Sequence, residues 1–248
     1  MSADSDLLQL LGPRPWVVGH RGAAGSELEN TLASIDSALA QEAAMIELDV
    51  QLTADEAIVV FHDWDLRRVA GRGEIVERTE LERLQAVGLS TTNDDKAYSI
   101  PTLEAALGSI PRDQPVNLEI KRRFHDARTV IERLEPHLAS QRPVLVSSFD
   151  WNLLAEARRN WPDQPLAPLA RYRAEALLAA GEEIGAFSVH AHRELAPELL
   201  GSNQISGRPL LAYTVNDPVE ARSLVARGAA GFFTDEPGRM RAVLASDD

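Results

Sequence analysis

Residues 45–63 read MIELDVQLTADEAIVVFHD, and their reading decides the fold. Two strand-like apolar runs, 45–52 and 58–63, are separated only by Thr53-Ala54-Asp55-Glu56-Ala57. A parallel crossover takes a dozen or more residues, so these two runs can pair only as an antiparallel hairpin. Outward from the hairpin, further strand-like runs stand at 16–20, 116–121, 144–149, 166–170, 187–190, 210–215 and 231–234. Helical patterns fall between most of them, for instance at 30–42, 103–110, 127–138, 152–159 and 218–227, with a last helix from about Gly238. Such alternation predicts a parallel sheet of right-handed βαβ units. Nine runs are one too many for an eight-stranded ring, and the hairpin removes the third as an excursion. The expectation is an α/β fold: a (β/α)8 TIM barrel with a small insertion after an antiparallel hairpin at strand 2, in one domain over residues 1–248. An open doubly wound sheet is the competing architecture. Against it, Gly19-His20-Arg21-Gly22 after the first strand lacks the G-x-G-x-x-G spacing of a dinucleotide site.

The rhythm breaks at 64–99, a polar, Arg- and Asp-rich stretch with a weak helical pattern at 80–87, before Pro101-Thr102 restarts the helices. This insertion is expected over the barrel mouth, where loops carry function. The length of 248 residues suits a single barrel, and 44% hydrophobic with 25% charged residues is the balance of a soluble globular chain. The absence of cysteine excludes a disulfide framework, a thiolate metal site and a cysteine nucleophile. A formal charge of −13 argues against non-specific nucleic-acid binding. No apolar run approaches the roughly 20 residues that span a bilayer, so no membrane insertion is expected. The first residues, MSADSDLLQLLGPRP, lack the basic start of a secretory signal, which points to the cytoplasm.

In a parallel barrel, chemistry gathers at the carboxyl ends of the strands. Those ends carry His20-Arg21, Glu47 with Asp49, Glu119 with Lys121, Ser147-Ser148, His190 with His192, Asn216 and Thr234-Asp235, and the hairpin returns His62-Asp63 to the same rim. Glu47 and Asp49 are two apart on a strand and share a face, which is the barrel interior. With Glu119 they make three carboxylates that repel one another unless a cation lies between them. An all-oxygen set suits Mg²⁺ or Ca²⁺ better than zinc. The plainer alternative is that arginines satisfy these carboxylates. Only Lys96 and Lys121 among the 25 basic residues are lysines. An ammonium at 121 suits a phosphate oxygen as a point charge, or forms a structural pair with Glu119. His20 and His62 are the candidate acid–base pair, since imidazole exchanges protons near neutral pH. Arg21 offers a bidentate fork to a phosphate or a partner to Glu47 and Asp49. His190 is as readily a packed strand residue as a site residue, and His125 and His137 read as surface positions on a helical stretch.

Taken in order, Gly19-His20-Arg21-Gly22, Glu29-Asn30-Thr31, Glu47-Leu48-Asp49-Val50, His62-Asp63, Ile100-Pro101-Thr102-Leu103-Glu104, Glu119-Ile120-Lys121, Ser148-Phe149, Tyr213-Thr214-Val215-Asn216 and Thr234-Asp235 resemble the glycerophosphodiester phosphodiesterase family, in its short bacterial cytoplasmic form. The resemblance runs from about Val17 to Pro237. It implies a barrel of the kind inferred, one divalent cation (Mg²⁺ or Ca²⁺), and hydrolysis of glycerophosphodiesters to an alcohol and glycerol 3-phosphate. Carried over by position, it implies Glu47, Asp49 and Glu119 as metal ligands and His20 and His62 as the acid–base pair. Arg21 and Lys121 fall on the phosphate, and Tyr213 falls near the glycerol pocket, where the family often has tryptophan. Leu28 stands where proline is frequent, and Glu56 where glycine is common in the hairpin turn. Tyr213 should point into the barrel if Val215 does. Two alternatives stand beside this reading: a lysophospholipase D-like activity, which acyl-chain dependence would reveal, and a non-catalytic phosphodiester-binding barrel, which would show no turnover.

Overall fold

The computed structural model describes residues 3–90, 98–138, 142–201 and 207–246; Lys96 and the rest of 91–97, within the expected insertion, lie outside them. In chain order the elements are α1 (Ala3–Leu11), β1 (Trp16–Gly19), α2 (Leu32–Ala40), β2 (Met45–Leu52), β3 (Ile58–Val60), α3 (Arg67–Ala70), a 3-10 turn (Val76–Arg78), α4 (Leu81–Gln85) and α5 (Leu103–Ser109). Then follow β4 (Val116–Ile120), α6 (Ala127–Leu138), β5 (Val144–Ser148), α7 (Trp151–Asn160), β6 (Leu166–Ala170) and α8 (Ala174–Glu183). The chain closes with β7 (Val189–His192), α9 (Ala196–Gly201), β8 (Leu210–Tyr213), α10 (Pro218–Ala226), β9 (Gly231–Thr234) and α11 (Pro237–Ala245).

The strands run in the order β1-β9-β8-β7-β6-β5-β4-β2-β3, and a further β1–β2 pairing closes the ring. Every pairing within the ring is parallel, whereas β3 pairs antiparallel with β2, Val50 opposite Val60 and Leu52 opposite Ile58. Eight parallel strands therefore form a closed (β/α)8 TIM barrel, with β3 outside the ring.

Strand β2 shows how the sequence builds this. All eight of its residues are buried, but on two faces. Ile46, Leu48, Val50 and Leu52 pack outward with Ile35 and Ala38 of α2 and Leu103 and Ala106 of α5. Met45 turns inward to a cluster with Trp16, Val18, Leu145, Ala167, Phe187, Leu211 and Phe233. Glu47 and Asp49 share Met45's parity, so burying the outer row carries both carboxylates to the interior. Leu7 and Leu11 of α1, one helical turn apart, join the same inner cluster. Thr31 caps α2 by accepting from Ser34 N, and Asp150 and Asp217 cap α7 and α10 in the same manner.

Strands β2, β6 and β9 have the bounds read from the sequence, and the ends of the others differ by one to three residues. The seventh strand, read at 187–190, is Val189–His192, because its ladder begins where Val189 meets Leu210. The eighth, read at 210–215, ends at Tyr213. The two-residue parity therefore stops there: Tyr213 packs against the inner cluster while Val215 packs outward with Ala221 and Leu224. The insertion has a small core of its own, in which Leu66, Val69, Val76, Leu84 and Leu89 pack with Leu28, Val59, Phe61 and Ile100. Leu28 belongs to that core. Glu56 lies at φ 61, a left-handed conformation that glycine adopts without cost, and its carboxylate accepts from Arg133 Nε at 2.9 Å.

Candidate active site

The loop after β1 begins the site. Gly22 sits at φ 84, and a Cβ there would lie 2.5 Å from the Ser34 carbonyl oxygen, so only glycine lets this loop settle against α2. Arg21, at φ 54, then aims its backbone N–H at Glu47 Oε2, 2.8 Å away. Its guanidinium reaches Glu29 Oε1 at 2.7 Å and makes an ion pair with Asp49 Oδ2 at 3.2 Å. Asn30 donates from Nδ2 to Asp49 Oδ2 at 2.8 Å and accepts from the Asp49 N–H at 3.2 Å.

Glu47, Asp49 and Glu119 are buried, and each offers an oxygen within 4.8 Å of the others. Lys121 Nζ bonds Glu119 and lies 3.1 Å from Asp49 Oδ1. Burial raises all three carboxyls; for Glu47 the charges of Asp49 and Glu119 add to it and push the group well above the usual range. Burial and Asp49 likewise outweigh Lys121 at Glu119 and raise it. At Asp49 burial is overcome by Lys121 and Arg21, which hold it ionised. Glu47 Oε1 is buried without a hydrogen-bond partner in the protein. Each carboxylate disfavours its neighbours' ionisation, and a divalent cation among their oxygens reverses that balance. The donor set is all oxygen and fits a hard cation. Of the two alternatives weighed for the carboxylates, the pairing with basic residues is seen at Asp49, which Arg21 and Lys121 satisfy, while Glu47 keeps an unpartnered oxygen.

The two histidines are held alike. His20 Nδ1–H donates to Asp235 Oδ1 at 2.7 Å, and His62 Nδ1–H donates to Asp63 Oδ1 at 2.7 Å. With each Nδ1 engaged, each Nε2 is left for the site. Asp235 is fixed by Asn216 Nδ2 at 2.5 Å, and Asn216 Oδ1 in turn accepts from Asp235 N–H and from Thr234 Oγ1. Asp63 is held through Oδ2 by Arg68 Nε at 2.7 Å. Desolvation, together with Lys121 and Arg21, lowers the His62 pKa against the pull of Asp49 and Asp63.

Opposite the carboxylates, Tyr213 meets Phe149 edge-on at 5.9 Å and His192 at 5.8 Å. Its hydroxyl is buried without a partner, and burial, then Glu119, raises its pKa, so it remains a neutral donor. His190 lies deeper and is fully buried, with Nε2 3.1 Å from Ser188 Oγ and its ring 4.8 Å from Phe233. It is a packed strand residue. His125 precedes α6 and meets the Thr53 carbonyl through Nε2 at 2.9 Å, and His137 is half-buried on α6, so neither is a bare surface position.

All the candidate residues read from sequence converge except those kept open as packing. Asp235, Asn216, Glu29, Asn30 and Asp63 stand in the motifs without an expected role, and Arg68 stands in the insertion without one. For Asp235 a signal existed: a ring must bring its first and last strands together, and Gly19 does pair with Thr234.

Fold and site define a barrel enzyme whose acidic, all-oxygen centre is flanked by cations and two carboxylate-backed histidines. The chain belongs to the glycerophosphoryl diester phosphodiesterase family, whose model matches residues 20–239. It is 30% identical over 254 residues to a Bacillus subtilis glycerophosphodiester phosphodiesterase, covering 92% of this chain and 86% of that one. Among solved structures, a phosphodiesterase of Oleispira antarctica in complex with the product sn-glycerol-3-phosphate superposes with a TM-score of 0.82 at 27% identity, covering 93% of this chain and 97% of that one. A glycerophosphodiester phosphodiesterase of Thermotoga maritima gives 0.77 at 27% identity, with coverage of 93% and 98%. Among the described residues no helix is long and apolar enough to cross a membrane.

Proposed function

We propose that this chain hydrolyses glycerophosphodiesters to an alcohol and glycerol 3-phosphate in a divalent-cation-dependent reaction. The observation that carries the reading is one rim on which three buried carboxylates, two cations and two oriented histidines meet. Glu47, Asp49 and Glu119 would hold one cation, Mg²⁺ or Ca²⁺, which when bound offsets charge on the phosphoryl oxygens. Arg21 and Lys121 bind the phosphate from either side of Asp49. Their positive charges are balanced in the free protein by Glu29, Asp49 and Glu119, so the phosphate enters a compensated site rather than a bare cationic one. One histidine takes a proton from the nucleophile through Nε2 and the other gives one to the leaving alcohol. Asp235 and Asp63 hold the rings in the tautomer this requires and stabilise whichever ring is protonated. Tyr213 turns its hydroxyl toward the glycerol moiety.

Replacing His20 or His62 by alanine should each slow the chemical step by roughly 10²–10⁴-fold. A p-nitrophenyl phosphodiester separates the two, because nitrophenolate departs without a proton. The variant lacking the acid is largely rescued on it and the variant lacking the base is not. Equal rescue of both would contradict the division of labour.

A second reading, lysophospholipase D-like turnover, is favoured by the rim itself. The sequence suggests a polar mouth, but Phe124, Phe149 and Tyr172, in the loops after β4, β5 and β6, are 43%, 48% and 65% exposed. Turnover that rises with acyl-chain length marks that activity, and turnover indifferent to it marks the first.

A further inference from the structure

We infer that Arg68, a residue of the insertion, is a positioning residue for this reaction: its guanidinium joins the carboxylate that orients His62 to the carboxylate that orients Arg21. The inference rests on the proposed phosphodiesterase reading. Nε of Arg68 donates to Asp63 Oδ2 at 2.7 Å, while Nη1 and Nη2 donate to Glu29 Oε2 and Oε1 at 2.8 and 2.6 Å. The far oxygen of Asp63 accepts from His62 Nδ1, and Glu29 Oε1 also accepts from Arg21 Nη1 at 2.7 Å. One continuous path therefore runs His62–Asp63–Arg68–Glu29–Arg21, from a proton-transfer group to a phosphate-binding group.

The geometry asks for arginine. Two carboxylates are met along two edges of one planar group, by Nε on one side and by a paired fork on the other. An ammonium is a point charge and cannot hold both at set angles. The backbone that carries Arg68 is fixed: it lies on α3 between Leu66 and Val69, both buried in the insertion's core. The side chain itself is 49% exposed. Ion pairs this exposed contribute little to stability, so the consequence of the bonds is the placement of the groups they hold. The insertion thereby acts as a brace on the catalytic rim.

Steady-state kinetics on a glycerophosphodiester, with melting curves alongside, test this. Arg68→Ala should lower kcat by roughly 10–100-fold through His62 and raise KM severalfold through Arg21, the scale seen when a residue supporting a catalytic group is lost. Its melting temperature should stay near that of the wild type. Arg68→Lys, which keeps the charge, should recover only part of either loss. In an Asp63→Asn background, Arg68→Ala should cost little further kcat, because the path to His62 is already cut. Wild-type kinetics in Arg68→Ala, full recovery by lysine, or kcat losses that multiply in the double variant would each overturn the inference while leaving the functional reading intact. Absence of turnover by the wild type across glycerophosphodiesters would overturn that reading, and this inference with it.

Discussion

Three histidines of this barrel have the same ring and different surroundings, and the surroundings set their chemistry. His20 and His62 each face a carboxylate through Nδ1, whereas His190 has only Ser188 Oγ and an aromatic edge. Desolvation pushes the His190 pKa down from its ordinary 6.5 to about 3. A histidine whose folded pKa lies below its unfolded one contributes stability above the unfolded value and loses it as pH falls. Between pH 6.5 and 3 His190 therefore favours unfolding increasingly, since the unfolded chain takes the proton first. His190→Gln removes that proton uptake. Comparing urea midpoints at roughly pH 7.5 and pH 5, above most carboxylate titration, should show a smaller fall for the variant than for the wild type. Equal falls would contradict this account of His190. At this scale the sequence is a good guide to which residues meet, because strand parity places Glu47, Asp49, Glu119 and Lys121 without any knowledge of loops. It is a poor guide to what holds them. Asp63 and Arg68 lie five residues apart and Glu29 lies far earlier in the chain, and only the fold of the insertion brings the three together.

Among elements, the hairpin and the insertion that follows it do the most to shape the rim. The turn over 53–57 returns the chain so that Phe61 N–H meets the Asp49 carbonyl at 2.9 Å, which sets His62 beside the carboxylates. The insertion then reaches across to the loop after β4. Glu77, in the 3-10 turn and 5% exposed, accepts from Arg123 N–H at 2.9 Å and from Phe124 N–H, and Arg78 covers the Phe124 ring at 4.0 Å. This clamps the segment directly after Lys121. Glu77→Ala leaves two backbone donors without their charged acceptor and should cost about 1.5–3 kcal/mol, the range for hydrogen bonds to an ionised group. Chemical denaturation measures it, and a variant as stable as the wild type would show that the clamp bears no strain. Elements were legible wherever an apolar period was long. Strand β2 and α6 have the bounds the sequence suggests, while α1 is an unexpected helix because its nine residues offer only Leu7 and Leu11 to the core. The shift of β7 has a similar cause, since Phe187 is apolar and inward like a strand residue but precedes the ladder.

For the molecule as a whole, barrel closure is what turns scattered motifs into a site. It brings β1 against both β2 and β9, so that His20 stands between the carboxylates of β2 and Asp235 after β9. The ring was legible because eight alternations and one hairpin admit few topologies. The bracing of its rim was not, because it depends on side chains from 64–90 whose polar character in sequence gives no direction. The chain's overall charge of −13 is matched on a small scale at the centre, where Arg21 and Lys121 sit on Asp49 and are balanced by Glu29, Asp49 and Glu119. On the proposed function, this centre hydrolyses a phosphodiester with the aid of one cation held by Glu47, Asp49 and Glu119. The most direct measurement is turnover of a glycerophosphodiester by protein stripped with a chelator, then by the same protein given back Mg²⁺ or Ca²⁺. The stripped protein should show no turnover and recover it on addition of the ion, with Glu47→Gln inert in both; undiminished turnover by the stripped protein would rule out a role for the cation.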